Sequence, residues 1–159
     1  YLIDHGYTAT TGTIFLALIG LFNIIGTYSA GWLGGKFSKP HLLMWLYGLR
    51  GIAIIGFLML PLSTWTIYAF GVIMGLLWLA TVPLTNGIVA NMFGVKYLSM
   101  LSGIVFFTHQ VGSFFGGWLG GVNHDMTGNY NMIWAVSIVL SVCGVLVHFF
   151  VTEEHVIHD

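Results

Sequence analysis

The sequence predicts an all-α, polytopic transmembrane helix bundle with five spans. Three observations predict it. Only 6% of the residues are charged and 57% are hydrophobic, whereas soluble domains carry about 25% charged residues. Apolar stretches of the roughly 20 residues needed to cross a bilayer recur along the whole length. An internal repeat links two of them. Gly31-Trp32-Leu33-Gly34-Gly35 returns as Gly117-Trp118-Leu119-Gly120-Gly121, 86 positions later. At the same offset Ala30 falls on Gly116, Thr27 on Ser113, Gly26 on Gly112 and Asn23 on His109. The first copy leads into Lys36 and Lys39, the second into Asn123-His124-Asp125. Two related helices leaving the membrane on opposite sides give this pattern, an inverted repeat.

Residues 1–11 are polar and turn-like, and Thr8, Thr10 and Thr11 offer helix N-caps. The first span covers about 12–34. A short basic loop follows, with Pro40 suited to the start of the next helix. The second span covers 42–60 and ends at the tight turn Pro61-Leu62-Ser63-Thr64. The third covers 65–91, with Pro83 as its kink. Residues 93–98 form a second short loop carrying Lys96. The fourth span covers 99–121, a polar loop runs from Val122 to Asn131, and the fifth span covers 132–151. Residues 152–159 are a polar, acidic tail.

Orientation follows from positive charge. Lys36, Lys39 and Lys96 all lie after spans one and three, and the loops after spans two and four carry no Lys or Arg. The positive-inside rule places the Lys-bearing loops and the tail in the cytoplasm, with residues 1–11 extracytoplasmic. The expected location is the cell (inner) membrane, multi-pass. With neither an initiator Met nor a signal-peptide pattern, the chain reads as a fragment of a larger membrane protein. Nothing basic enough to bind nucleic acid is present. The single cysteine, Cys143, excludes an internal disulfide framework or cysteine metal cluster.

Small residues recur at helical spacing: Gly26, Ala30 and Gly34; Gly71 and Gly75; Gly112, Gly116 and Gly120. Such faces let helix backbones approach closely where no hydrophobic effect drives association.

The stretch from Gly31 to Pro40 resembles the loop signature of the major facilitator superfamily, a Gly-x-Leu-x-Asp-Arg-x-Gly-Arg-Arg type sequence. The whole chain resembles the second half of such a transporter. Phe93-Gly94-Val95-Lys96-Tyr97, the run from Gly103 through His109-Gln110 to Gly112-Ser113, and Gly128-Asn129-Tyr130 are similar to bacterial members near the monocarboxylate-transporter branch. The resemblance implies a twelve-helix, two-half fold, with these five spans as helices eight to twelve. It also implies a missing N-terminal six-helix half as partner. Within the loop motif Gly31, Gly34, Gly35, Lys36 and Lys39 match the pattern in part. Gly35 stands at the acidic position, so the family's acidic latch is not carried over, and a turn role for Gly34-Gly35 remains.

Arg50 is the sharpest candidate. It lies roughly ten residues into its span, or about 15 Å at 1.5 Å per residue, near the bilayer midplane. A charge there costs about 2.5 to 3.5 kcal/mol on insertion scales. No Asp or Glu lies inside any span. The compensating group is therefore a backbone carbonyl, a substrate anion or a carboxylate elsewhere in the protein. His109 and Gln110 come next. His109 shares a helical face with Ser102, Gly112, Ser113 and Gly116, expected to be a packed face. It suits either carboxylate binding and titration or plain interhelical hydrogen bonding. Asn23 is its counterpart in the first copy. Trp78 and Asn86, on what the resemblance makes the cavity-lining tenth helix, complete the candidates for substrate binding or coupling. His155 and His158, beside Glu153 and Glu154, read as a solvated tail rather than a metal site.

The expected activity is secondary active transport of a small solute by alternating access. An organic anion such as a monocarboxylate is favoured, because the one intramembrane charge is positive and the branch resemblance points the same way. Protons are the candidate coupling ion. The lipid bilayer, the small-molecule substrate and the missing half are the expected partners, with no cofactor and no metal. A non-transporting membrane sensor or scaffold on the same fold is the alternative. An enzyme is disfavoured because no catalytic constellation can be assembled.

Overall fold

The computed structural model describes residues 1–153; His155 and His158 lie outside the described residues. Six helices follow one another: α1 (Ala9–Gly34), α2 (Lys39–Met59), α3 (Thr64–Trp78), α4 (Thr81–Phe93), α5 (Val95–Thr127) and α6 (Asn131–Phe150). No strand occurs among the described residues. Among the described residues five segments are long and apolar enough to cross a membrane, with α3 and α4 together making one of them.

The helix ends explain themselves locally. Thr8 caps α1 by accepting from Thr11 N–H at 3.3 Å. Pro40 sits in the first turn of α2, where a missing N–H costs nothing. Ser63 and Thr66 form a reciprocal capping box at the start of α3.

Three expectations about the elements need correction. The third span is two helices, because the ladder stops at Trp78 and restarts at Thr81. Residues 93–98 are not a loop: Gly94 alone, at φ +75°, reverses the chain between α4 and α5, a conformation that Gly reaches without strain. Most of the polar stretch from Val122 is helical. Thr127 Oγ1 donates to Asn123 O at 2.7 Å, Asn123 Nδ2 donates to Asn129 O at 2.9 Å, and Gly128 closes the helix at φ +68°. Polar side chains that look like loop signals are here the cap of α5.

Two helix pairs make the bundle. α1 lies on α3 through glycine. A methyl added at Gly26 would run into the Leu76 backbone, and one at Gly75 would stand 2.7 Å from the Ile19 carbonyl oxygen. α2 lies on α6, where a methyl at Gly144 would stand 2.7 Å from the Tyr47 ring and one at Gly51 3.2 Å from Ser141. Between the pairs sits one core of Ile54, Phe57, Ile67, Phe70 and Met74, with Phe57 and Phe70 stacked at 4.3 Å. A second core of Ala30, Leu43, Ala80 and Leu84 lies beyond the α3–α4 junction.

α5 stands apart. No side chain or backbone comes within 4 Å of a methyl built at Gly112, Gly116 or Gly120, and His109 is exposed. The face expected to be packed is thus bare in this chain. Its counterpart in the first copy is covered, because α3 and α4 lie on it and nothing among the described residues takes their place on α5.

The close approach at Gly26 and Gly75 sets a stability expectation. Gly26→Val and Gly75→Val should each lower the melting temperature of the detergent-solubilised protein, at a cost of about 1–3 kcal/mol from overpacking. Gly56→Ala, with open space at its Cβ, should be neutral or slightly stabilising.

Candidate functional site

Pro83 places the break in the third hydrophobic segment. It has no N–H to give Leu79 O one turn back. Val82 N–H takes that oxygen at 3.1 Å instead, tightening the turn to three residues. The final carbonyls of α3 are left without helical partners. In a bilayer each such group must be satisfied from within the protein.

Two neighbouring helices meet the polar groups of this turn, one its carbonyls and the other an N–H. From α2, Arg50 Nη2 donates to Leu77 O at 2.8 Å and to Trp78 O at 3.1 Å. From α1, Asn23 Oδ1 accepts from Leu79 N–H at 3.1 Å. Thr81 Oγ1 adds a 3.3 Å bond to Trp78 O, and Leu76 O lies against Gly26. The guanidinium also lies 5.2 Å from the centre of the Tyr47 ring, within cation–π range. Its Nε is buried and unpartnered. Of the three compensations open to Arg50 from sequence, the structure displays backbone carbonyls.

The other side of the break is open. Trp78 is 47% exposed and Val82 49%. No side chain caps the N-terminus of α4; Val82 N–H is spent on Leu79 O and Pro83 has none, so what this end offers a ligand is chiefly the positive end of the helix dipole. Arg50, Asn23 and Trp78 are therefore brought together at one mid-bundle feature.

The remaining candidates lie elsewhere. Asn86 Oδ1 accepts from Ser102 Oγ at 3.0 Å, tying α4 to α5. His109 and Gln110 are exposed on α5 and make no side-chain hydrogen bond among the described residues. An apolar cleft of about 410 Å³ between α5 and α6, walled by Gly116, Met126, Met132 and Leu140, contains none of the polar candidates.

The loop motif closes the Lys-bearing end. Gly34 abuts Leu84 of α4, and Lys36 Nζ sits 3.7 Å above the Trp32 ring. Lys39 lays its stem across Gly87 and reaches Glu153 with an Nζ–Oε1 distance of 3.2 Å. Both side chains are about four-fifths buried, at 19% and 18% exposure. Glu153 was read from sequence as part of a solvated tail. The available signal was an acidic residue just past the last span, on the same side as the only Lys-bearing loops. At the opposite end His124 Nε2 lies 3.0 Å from Asp4 Oδ2 and stacks on Tyr130 at 4.6 Å, fixing the far end of α5 to residues 1–8.

These features can be compared with known proteins. Residues 1–158 match the Major Facilitator Superfamily. The chain belongs to this superfamily. It is 33% identical over 130 residues to YcxA, an uncharacterized MFS-type transporter of Bacillus subtilis (strain 168), covering 78% of this chain and 32% of that protein. It is 26% identical over 141 residues to monocarboxylate transporter 12-B of Danio rerio, covering 86% of this chain and 29% of that protein. The chain thus spans about a third of the length of these relatives. No solved structure matches it significantly. Both of these relatives carry the name of a transporter.

The Lys39–Glu153 pair gives a separable expectation. Removing one partner leaves a largely buried charge, so Lys39→Met or Glu153→Gln alone should destabilise by about 2 kcal/mol or more. The double change Lys39→Met with Glu153→Met should recover most of that loss in a thermal melt.

Proposed function

We propose that this chain forms part of a secondary carrier that moves a small organic anion, of the monocarboxylate class, by alternating access. The observation that carries the proposal is the mid-span discontinuity between α3 and α4. Discontinuous helices are where carriers commonly build their sites: the N-terminal end of a half-helix faces the anionic group, and the site lies near the bilayer midplane. Here the uncapped N-terminus of α4 and the exposed Trp78 ring form one wall. Arg50 lies behind them as the one Asp, Glu, Lys or Arg in the middle of a span. It contributes positive potential while its Nη2 is spent on carbonyls. The name of the Danio rerio relative supports the same substrate class.

Further parts of the reading are supported less directly. The bare glycine face of α5 suits packing against further helices of a protein as long as the relatives, and those helices would supply the opposite wall of the site. The Lys-bearing end, with Lys36, Lys39 and Lys96, suits the cytoplasmic side of a cell membrane. Protons are the coupling ion proposed, with their carboxylate carried outside this chain, since none lies in the middle of a span here.

The test uses the full-length protein in proteoliposomes. Uptake of short radiolabelled monocarboxylates should be saturable, competed by other organic anions but not by the corresponding amides, and faster with an inward proton gradient. Trp78→Ala should raise KM several-fold while membrane level is kept. Folded, correctly inserted protein that moves none of these anions would favour the sensor or scaffold role.

A further inference from the structure

We propose that Arg50 and Asn23 are positioning residues that staple the α3–α4 break from opposite sides, and that neither binds the transported anion. This rests on the reading that the break forms part of the transport site.

Three consecutive residues carry the inference. Arg50 of α2 takes the carbonyls of Leu77 and Trp78, and Asn23 of α1 takes the N–H of Leu79. Two helices thus grip the same turn, one through acceptors and the other through a donor. The chemistry fits each grip. The end of α3 is the negative end of a helix dipole, and a guanidinium hydrogen-bonded there both neutralises it and satisfies two of its free oxygens. An amide oxygen complements the adjacent N–H without adding charge. Packing holds both side chains in place. Arg50 Nε is buried with the Tyr47 ring beside the guanidinium, and Asn23 sits one turn before Gly26, where α1 and α3 approach most closely.

The dependence on Pro83 makes the idea testable. In Pro83→Ala, residue 83 regains an N–H for Leu79 O. Val82 N–H can then return to Trp78 O, and Thr81 N–H can pair with Leu77 O. The two helices fuse, and Arg50 loses both acceptors. A staple and the break that it holds cannot contribute independently.

The experiment is a double-mutant cycle in the full-length protein: wild type, Arg50→Gln, Pro83→Ala and the pair. Anion uptake (KM and maximal rate) and melting temperature are read for each. As a staple, Arg50→Gln should lower the maximal rate by about tenfold or more with little change in KM, and lower the melting temperature. In the Pro83→Ala background the same change should cost less than about twofold and shift the melt little. Asn23→Ala should behave like Arg50→Gln in both backgrounds. An equal loss from Arg50→Gln in both backgrounds, with KM raised and discrimination against neutral analogues lost, would make Arg50 a direct ligand and overturn the proposal. Should the wild type move no anion, the carrier reading falls, and the melts alone decide. Non-additive melting shifts then uphold the staple, and additive ones overturn it.

Discussion

One missing hydrogen organises this structure. Pro83 cannot donate to Leu79 O, so a 30-residue hydrophobic segment that would otherwise be one helix becomes two. In water the freed carbonyls would be hydrated at little cost. In a bilayer they must be met by the protein: Arg50 of α2 donates to the carbonyls of Leu77 and Trp78, and Asn23 of α1 accepts from the N–H of Leu79 in the same turn. Arg50 and Asn23, the polar residues hardest to justify inside spans, are explained by the same event. The cost of an intramembrane charge, about 2.5 to 3.5 kcal/mol on insertion scales, is offset because its acceptors would themselves be stranded without it.

The packing serves this feature. Gly26 and Gly75 draw α1 against α3 closely enough for the Asn23 side chain to reach Leu79. Gly51 and Gly144 draw α2 against α6, fixing the helix that presents Arg50. Beyond the break, Ala80 and Leu84 anchor α4 in the second core with Leu43 and Ala30, and α4 in turn carries α5 through Asn86 and Ser102. The two ends of the bundle are closed by ion pairs, Lys39 with Glu153 and, when His124 is protonated, His124 with Asp4. A segment broken in the middle, within a bundle tied at both ends, is a natural place for movement between two arrangements.

Much of this was legible in the sequence, and the failures have physical causes. The all-helical membrane class follows from composition, and the superfamily from the loop around Gly31–Pro40. Pro83 marked a disturbance, but periodicity alone does not say whether a proline kinks or divides a helix. That depends on whether neighbours such as Arg50 can satisfy the opened turn. Backbone carbonyls stood among the possible partners of Arg50, yet which carbonyls they are is a tertiary fact without a sequence signal. The stretch from Asn123 to Asn129 read as loop because its residue types favour turns; here their side chains cap a helix. The repeat matched the small-residue faces of α1 and α5 in sequence, but matching faces do not guarantee matching partners. Gly26 is covered and Gly112 is bare, which moves His109 from an expected packed position to an exposed one. Glu153 was missed because a salt bridge across 114 residues leaves no local pattern.

The most direct measurement is site-directed thiol labelling at the break. Cys143 is free and exposed, so the full-length protein would first be made cysteine-free, Cys143→Ser included, and Trp78→Cys and Val82→Cys introduced singly. If the open side of the break lines the transport path, both cysteines should react with a membrane-impermeant thiol reagent, and a transported anion should slow that reaction. Cysteines that ignore aqueous reagents and react only with a lipid-soluble one would place this side against the bilayer, and the break would then be structural only.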